Sequence, residues 1–277
     1  MRRFVAVVIA VCVLGGVALL PRLQAGGQNG VDWTEVRLLV YTKNGKGYVH
    51  DNIPASVEAI RDLAREHRFS IDVTDDPAAF TDGNLRKYSA LVFSNTNNVV
   101  FDTDAQRVAL MRYVQAGGGF AAIHSASGSE RTWKWFSGLV GGLFSRHPPL
   151  QRFAVLVLDR AHPSVAHLPA RWEREDECYY LVRMNVNMRI LAVNDLSRIQ
   201  DPKEKPATFG DVFPSVWYQE FDGGRQWYTS LGHQKEDYAR PEFRQHLLGG
   251  IMSVVRSAPL DPSRAYATSP AEGPARR

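Results

Sequence analysis

Three histidines of this chain follow short apolar runs: His124 and His233 directly, and His50 after the polar loop that leaves the first of them. An unperturbed imidazole titrates near pH 6.5, so such a group suits general acid–base work at neutral pH. Neutral imidazole is also an ordinary ligand for divalent metals when a carboxylate stands beside it. A fourth histidine, His147, lies in the glycine-flanked stretch Gly141-Gly-Leu-Phe-Ser-Arg-His147-Pro148 and can reach the same place. Two acids are candidates to work with them. Glu177 sits beside Cys178-Tyr179-Tyr180, and Glu220 follows Trp217-Tyr-Gln in an alternating strand, where a part-buried acid needs a partner. His50, His124, His233, Glu177 and Glu220 are therefore the catalytic candidates. His147, Ser125, Tyr179 and Trp217 are the substrate-contacting ones, since aromatic faces among acids and histidines fit sugar binding. A divalent metal is compatible with this set. No pair has the compact His-x-x-x-His spacing, so the cofactor stays open.

The remaining histidines read differently. His67 and His246 fall in helical stretches and are packing or surface residues, and His162 and His167, around Pro163, are expected in solvent. Glu173 and Glu175 read as part of a solvated turn. Cys178 is the one cysteine outside the N-terminal apolar run and is read as a small buried hydrophobe before a nucleophile.

The elements that must position these groups follow from periodicity. Val36–Tyr41, Phe69–Thr74 and Ala90–Ser94 read as strands, and the charge-free Ala121-Ala-Ile123 as a strand covered on both faces. Between them, Ile53, Val57, Ile60 and Ala64 recur at helical spacing behind Asn52 as N-cap and Pro54 in the first turn. Thr103 and Gln106 have capping-box spacing for a helix from about Asp104 to Ala116, which Gly117-Gly-Gly119 stops. Strand–helix alternation of this kind makes a parallel sheet, whose carboxyl edge is where ligands bind. The fold class is thus α/β: a flavodoxin-like, mostly parallel sheet flanked by helices. Farther on, Trp133–Leu139 reads as a short helix, and Phe153–Leu158 and Arg189–Val193 as strands. Residues 194–214 read as a surface loop, Ser215–Phe221 and Gln226–Ser230 as a hairpin across Asp222-Gly-Gly224, and Pro241–Val255 as a last helix.

With 277 residues, 44% hydrophobic and 22% charged, the chain is globular, and its net charge of +4 forms no basic block. Nucleic acid is therefore not an expected partner. Arg2 and Arg3 precede an apolar run from Phe4 to Leu20, the pattern of a secretory signal over residues 1–25. This points to a periplasmic or secreted protein, with an uncleaved membrane anchor as the alternative. Residues 26–35 read as a linker, 36–256 as one domain, and 257–277, rich in Pro, Ala and Arg, as a disordered tail. The number of copies in an assembly stays open, a homo-oligomer included. There is no Gly-x-Ser-x-Gly elbow, no phosphate loop and no dinucleotide fingerprint.

Taken together, Gly47-Tyr-Val-His50-Asp-Asn-Ile53, Gly117-Gly-Gly-Phe-Ala-Ala-Ile-His124, Leu139–Pro148, Asp176-Glu-Cys-Tyr179, Trp217-Tyr-Gln-Glu220 and Gly224–His233 resemble the ThuA-like (trehalose utilisation) family. The resemblance implies a fold similar to class I glutamine amidotransferases. There a cysteine nucleophile occupies the strand-to-helix elbow, and the matching place here is held by His124, so amide hydrolysis by cysteine is not expected. It also implies carbohydrate catabolism, of glycosides or oxidised 3-keto-glycosides, by histidine acid/base chemistry that a metal can assist. In this picture His124 is the base, His233 or His50 polarises the carbonyl, and Glu177 or Glu220 orients an imidazole or protonates the leaving oxygen. A non-catalytic sugar-binding module on the same fold is the alternative. The chain departs from the family at Gly128, where members commonly carry an acid, and at Cys178, where they tend to carry Trp.

Overall fold

The computed structural model describes residues 31–274. The expected signal segment lies outside the described residues. Among the described residues no helix is long and apolar enough to cross a membrane. The chain runs through β1 (Arg37–Tyr41), α1 (Ile53–His67), β2 (Ser70–Thr74), α2 (Asp82–Leu85), β3 (Ala90–Ser94), α3 (Asp104–Gln115) and β4 (Gly119–Ile123). It continues with α4 (Lys134–Val140), β5 (Leu143–Arg146), β6 (Gln151–Val157), β7 (Arg171–Asp176), β8 (Tyr180–Val182), β9 (Arg189–Asp195), β10 (Val212–Phe221), β11 (Gly224–Thr229) and α5 (Pro241–Val254).

Nine strands form one sheet in the order β2-β1-β3-β4-β11-β10-β9-β6-β7, and β5 pairs with β8 apart from it. From β2 to β11 every pairing is parallel. From β11 outward to β7 every pairing is antiparallel. The loops that leave β1, β3, β4 and β11 therefore emerge from one edge, side by side. Every residue of β3 and β4 is buried, as strands covered on both faces must be. Helix α1 packs beside α5, α2 beside α3, and α5 lies on β11 and β4. The Thr103–Gln106 capping box forms, fixing the start of α3.

Three local expectations are corrected. The acidic run before Glu177 is not a turn but strand β7, with Trp172, Arg174 and Asp176 turned inward and Arg171, Glu173 and Glu175 outward. Asn52 stands at the N-cap of α1 but its side chain makes no cap bond, for a reason given below. The tail, read as disordered from its composition, packs against the domain as far as Pro270. Gln115 Oε1 accepts from the amides of Tyr266 and Ala267 at 3.0 Å each, Trp133 Nε1 donates to the Pro270 carbonyl at 2.8 Å, and Ala267 is fully buried.

His162, expected in solvent, is only 5% exposed, and His167 is half-buried. His162 Nδ1 takes the Ser164 amide at 3.3 Å and the Ser164 hydroxyl at 2.9 Å, so the ring is held neutral. His246 in α5 is fully buried, with Nδ1 donating to the Ser164 carbonyl at 2.7 Å and Nε2 facing Thr229 Oγ1 at 3.0 Å. Burial pushes its pKa down to about 3, and that of His162 to about 4. Both folded values lie below the unfolded value near 6.5. Below that pH the unfolded chain takes protons that the native chain refuses, so stability is complete above pH 6.5 and falls as the pH drops. Between pH 7 and 5 each site removes about 2 kcal/mol, at about 1.4 kcal/mol per unit below 6.5. Denaturant unfolding of wild type and His246→Gln at the two pH values checks this. The variant should lose about 2 kcal/mol less on acidification, and equal losses would remove His246 from the account.

Candidate active site

The carboxyl ends of β1, β4 and β11 deliver His50, His124 and His233 to one place. The His50 ring centre lies 4.8 Å from that of His124 and 5.4 Å from that of His233, and His124 lies 5.5 Å from His233. Glu177 arrives from the far side of the sheet, immediately after β7. Its Oε2 stands 3.5 Å from His124 Nε2 and 3.2 Å from His233 Nδ1, the latter without hydrogen-bond alignment. Its other oxygen, Oε1, is 3.3 Å from His147 Nε2. Glu177 thus faces three imidazoles at once.

Two buried side chains bring Glu177 and His233 together. Asp176 Oδ2 accepts from the Gly232 amide at 2.8 Å, while Oδ1 accepts from the amides of His233 at 3.1 Å and Glu177 at 2.8 Å. Asn52 Nδ2 donates to the carbonyls of Gly232 at 2.6 Å and His233 at 2.9 Å. Asn52 itself has helical backbone angles, φ −78° and ψ −11°, where a capping residue is extended, so its Oδ1 caps no first-turn amide while Nδ2 is held by the two carbonyls. One carboxylate and one amide therefore hold both sides of the same peptide stretch, which a loop of Leu231-Gly-His233 would not hold by itself.

His124 begins the turn after β4 with φ of 51°, a left-handed conformation that costs a non-glycine residue about 1–3 kcal/mol. Tyr228 Oη donates to its carbonyl at 2.9 Å, which helps keep the backbone there. The His124 side chain is fully buried; Nδ1 donates to the Ser230 carbonyl at 2.7 Å and Nε2 accepts from Tyr179 Oη at 2.9 Å. The carbonyl fixes the tautomer, leaving the Nε2 lone pair for the Tyr179 hydroxyl.

Electrostatics follow from this geometry. Burial opposes ionisation of Glu177, but His124, His233 and His147 outweigh it and hold the carboxyl well below the usual carboxylate range. Burial pushes His50 down to about 3, with its histidine neighbours adding to the effect, so it is neutral at pH 7. For His233 burial lowers the pKa, but contact with Glu177 and the nearby Asp176 and Asp51 charges more than offset it and raise it. Burial keeps the Tyr179 hydroxyl protonated, well above its ordinary range.

A cavity of about 390 Å³ opens onto this cluster. His50, Glu177 and His233 lie within its lining, with Ser125, Tyr179 and His147 around them. The rest of the wall comes from Tyr48, Asn97, Asn98, Arg131 and Phe144, none of which the sequence reading singled out. Asn97 and Asn98 follow β3, so their place after a parallel strand was the available signal. Ser125 Oγ is buried without a hydrogen-bond partner, and His147 keeps a third of its side chain exposed. His124 is behind this wall, not part of it, which removes it from direct contact with a substrate.

Two candidates stand elsewhere. Glu220 is exposed near the turn end of β10, opposite Arg225. Trp217 is fully buried, its Nε1 donating to the Val140 carbonyl at 2.8 Å and its ring 4.4 Å from that of Tyr228. The strand's alternation hides Trp217 in the core and leaves Glu220 to solvent at the far end. Cys178 is also removed from chemistry: burial pushes its thiol up to about 12, so no thiolate forms at neutral pH.

Residues 37–253 match the family described as ThuA, trehalose utilisation. The chain belongs to the ThuA family. That description suggests a role in carbohydrate metabolism. No curated protein matches this chain. Among solved structures, a ThuA-like protein of Bacteroides uniformis is 22% identical with a TM-score of 0.64, covering 78% of this chain and 89% of its own. One from Parabacteroides merdae is 20% identical at 0.62, covering 79% and 90%. The β-galactosidase of Rahnella sp. R3 is 14% identical at 0.51, matching 82% of this chain and 33% of the enzyme. At these identities the likeness is one of fold. Within this ThuA chain, the departure at Gly128 has a steric side. A Cβ there would lie 2.6 Å from Asn97 Oδ1, which is held by the Asn98 amide at 3.0 Å, so an acid would require Asn97 to move. The nearest acid in sequence, Glu130, is buried and binds Arg107 and the amides of Val100 and Phe101 instead.

Proposed function

We propose that this ThuA-family protein processes glycosides whose sugar carries a 3-keto group, by proton transfer at the cavity. The carrying observation is the His147–Glu177 pair at the mouth of the cavity, above His50 and His233. His147 Nδ1 donates to the Pro148 carbonyl at 2.8 Å, so Nε2, 3.3 Å from Glu177, is where the ring gains and loses its proton. A ketone acidifies the hydrogen on the carbon next to it. His147 removes that hydrogen, the electron pair forms a carbon–carbon double bond, and the bond from the glycosidic carbon to its oxygen breaks. The same proton then goes to the departing oxygen. The floor formed by His50 and His233 polarises the carbonyl. Tyr48, Phe144 and Tyr179 offer ring faces, and Asn97, Asn98 and Ser125 offer hydroxyl partners, as sugar recognition requires. The cavity falls in the lower part of the usual range for small-molecule sites, about 300–1,000 Å³.

The test is NMR in deuterated water with a 3-keto-glycoside and divalent ions supplied. Deuterium should enter next to the carbonyl, or the aglycone should be released. Binding without either change would favour the sugar-binding alternative.

A further inference from the structure

The geometry points to a divalent transition-metal centre held by His50, His124, His233 and Glu177. This rests on the proposed function for what the ion would do, but not for whether it binds. One ligand atom from each of the four residues lies within 4.8 Å of the other three. A tetrahedral ion with ligands at about 2.1 Å holds its donors about 3.4 Å apart, so modest side-chain adjustment closes the set. The donors are three imidazoles and a carboxylate, which suits zinc and its first-row neighbours better than magnesium or calcium.

Three features beyond proximity support it. First, His50 is 6% exposed and its buried Nδ1 has no hydrogen-bond partner among the described residues, an arrangement that is costly without a ligand. Second, the His124 tautomer is set from outside. Nδ1–H is tied to the Ser230 carbonyl, the outer-shell contact that aims an imidazole's other nitrogen at a metal. The Tyr179 hydroxyl donates to that nitrogen here and is the group an ion displaces. Third, the two oxygens of Glu177 are divided: Oε2 faces His124 and His233, and Oε1 faces His147. Glu177 therefore binds through one oxygen and orients His147 with the other, which leaves His147 outside the ligand set and free to move protons. A bound ion would polarise the carbonyl of an oxidised sugar as a Lewis acid.

The experiment is titration of chelator-stripped protein with Zn²⁺ and Co²⁺, read by calorimetry and by the visible bands of Co²⁺. One equivalent should bind. His50→Ala, His233→Ala and Glu177→Gln should each weaken binding by more than the roughly 10–100-fold that loss of an outer-shell partner costs. His147→Gln should bind as wild type does. Circular dichroism of each stripped variant shows that it is folded. Absence of binding at millimolar ion, or equal affinity in His50→Ala, His233→Ala and wild type, overturns the proposal. The failures separate cleanly: a protein that binds the ion but leaves 3-keto-glycosides untouched refutes the reaction and keeps the metal, and the converse refutes the metal alone.

Discussion

His147→Gln is expected to lower turnover of a 3-keto-glycoside by about 10²–10⁴-fold, the usual cost of losing a general base. It should leave stability within about 0.5 kcal/mol, because its side chain is one-third exposed and its Nδ1 bond to Pro148 lies at the cavity mouth. Glutamine keeps a donor and much of the volume, so the substitution isolates proton transfer. The measurement is deuterium exchange next to the carbonyl, compared with substrate affinity from a binding isotherm. Exchange should collapse while affinity stays within a few-fold. His124→Gln makes an informative comparison, because His124 lies behind the cavity wall, against Tyr179, Ser230 and Glu177, and belongs to the proposed metal set instead of the substrate surface. Its loss should lower exchange together with stability, since a buried carbonyl and hydroxyl lose their partner. A His147→Gln protein that exchanges at the wild-type rate would put the proton on another group and end the assignment.

How much of this was legible in the sequence varies with the kind of interaction. The parallel half of the sheet was plain, because Ala90–Ser94 and Ala121–Ile123 are apolar runs bounded by capped helices, and period decides such elements. The convergence of His50, His124 and His233 then followed from topology, since neighbouring parallel strands deliver their carboxyl ends to one edge. Glu220 failed for a simple reason. Period two says which face a strand residue occupies, but not how far along the strand the site lies. Trp217 failed because aromatic side chains serve cores and sugar sites alike, and composition does not separate the two. The antiparallel half was less legible: β7 alternates Trp172, Arg174 and Asp176 inward, and two charges in three inward positions disguise a buried strand as a solvated turn. Asn52 shows the same limit. Its place before Pro54 reads as a helix cap, while its side chain is committed to Gly232 and His233 about 180 residues later in the chain. Such long-range polar clamps leave no local periodicity.

The clamp gives the largest expected loss of stability. Asp176 is fully buried, and its two oxygens take three backbone amides, those of Gly232, His233 and Glu177. Behind it lies Arg174, with Nη2 3.9 Å from Asp176 and 2.5 Å from Asp237, and its guanidinium 4.4 Å from the Trp172 ring. Burial pushes the Asp237 carboxyl up to about 6, so it still faces the arginine mostly as a carboxylate at neutral pH. Asp176→Ala strands three backbone amides and removes the farther of the two carboxylates beside a buried guanidinium, a loss of about 3–5 kcal/mol. Asp176→Asn keeps one acceptor oxygen and removes the charge, so it should cost less, about 1–3 kcal/mol, the price of one buried group left unpaired. Its remaining oxygen can serve the amides of His233 and Glu177 while its NH2 group faces the Gly232 amide, so the Asn protein, though folded, should hold the Gly232–His233 turn loosely. Zn²⁺ affinity and deuterium exchange should then fall together by about tenfold or more, the cost of losing an outer-shell support. His246→Gln serves as a control with a comparable stability loss outside the cavity wall. If Asp176→Asn melts early yet binds the ion and exchanges deuterium as wild type does, Asp176 supports the fold alone. Loss of both readouts in Asp176→Asn, with both kept in His246→Gln, identifies it as the residue that positions Glu177 against His233.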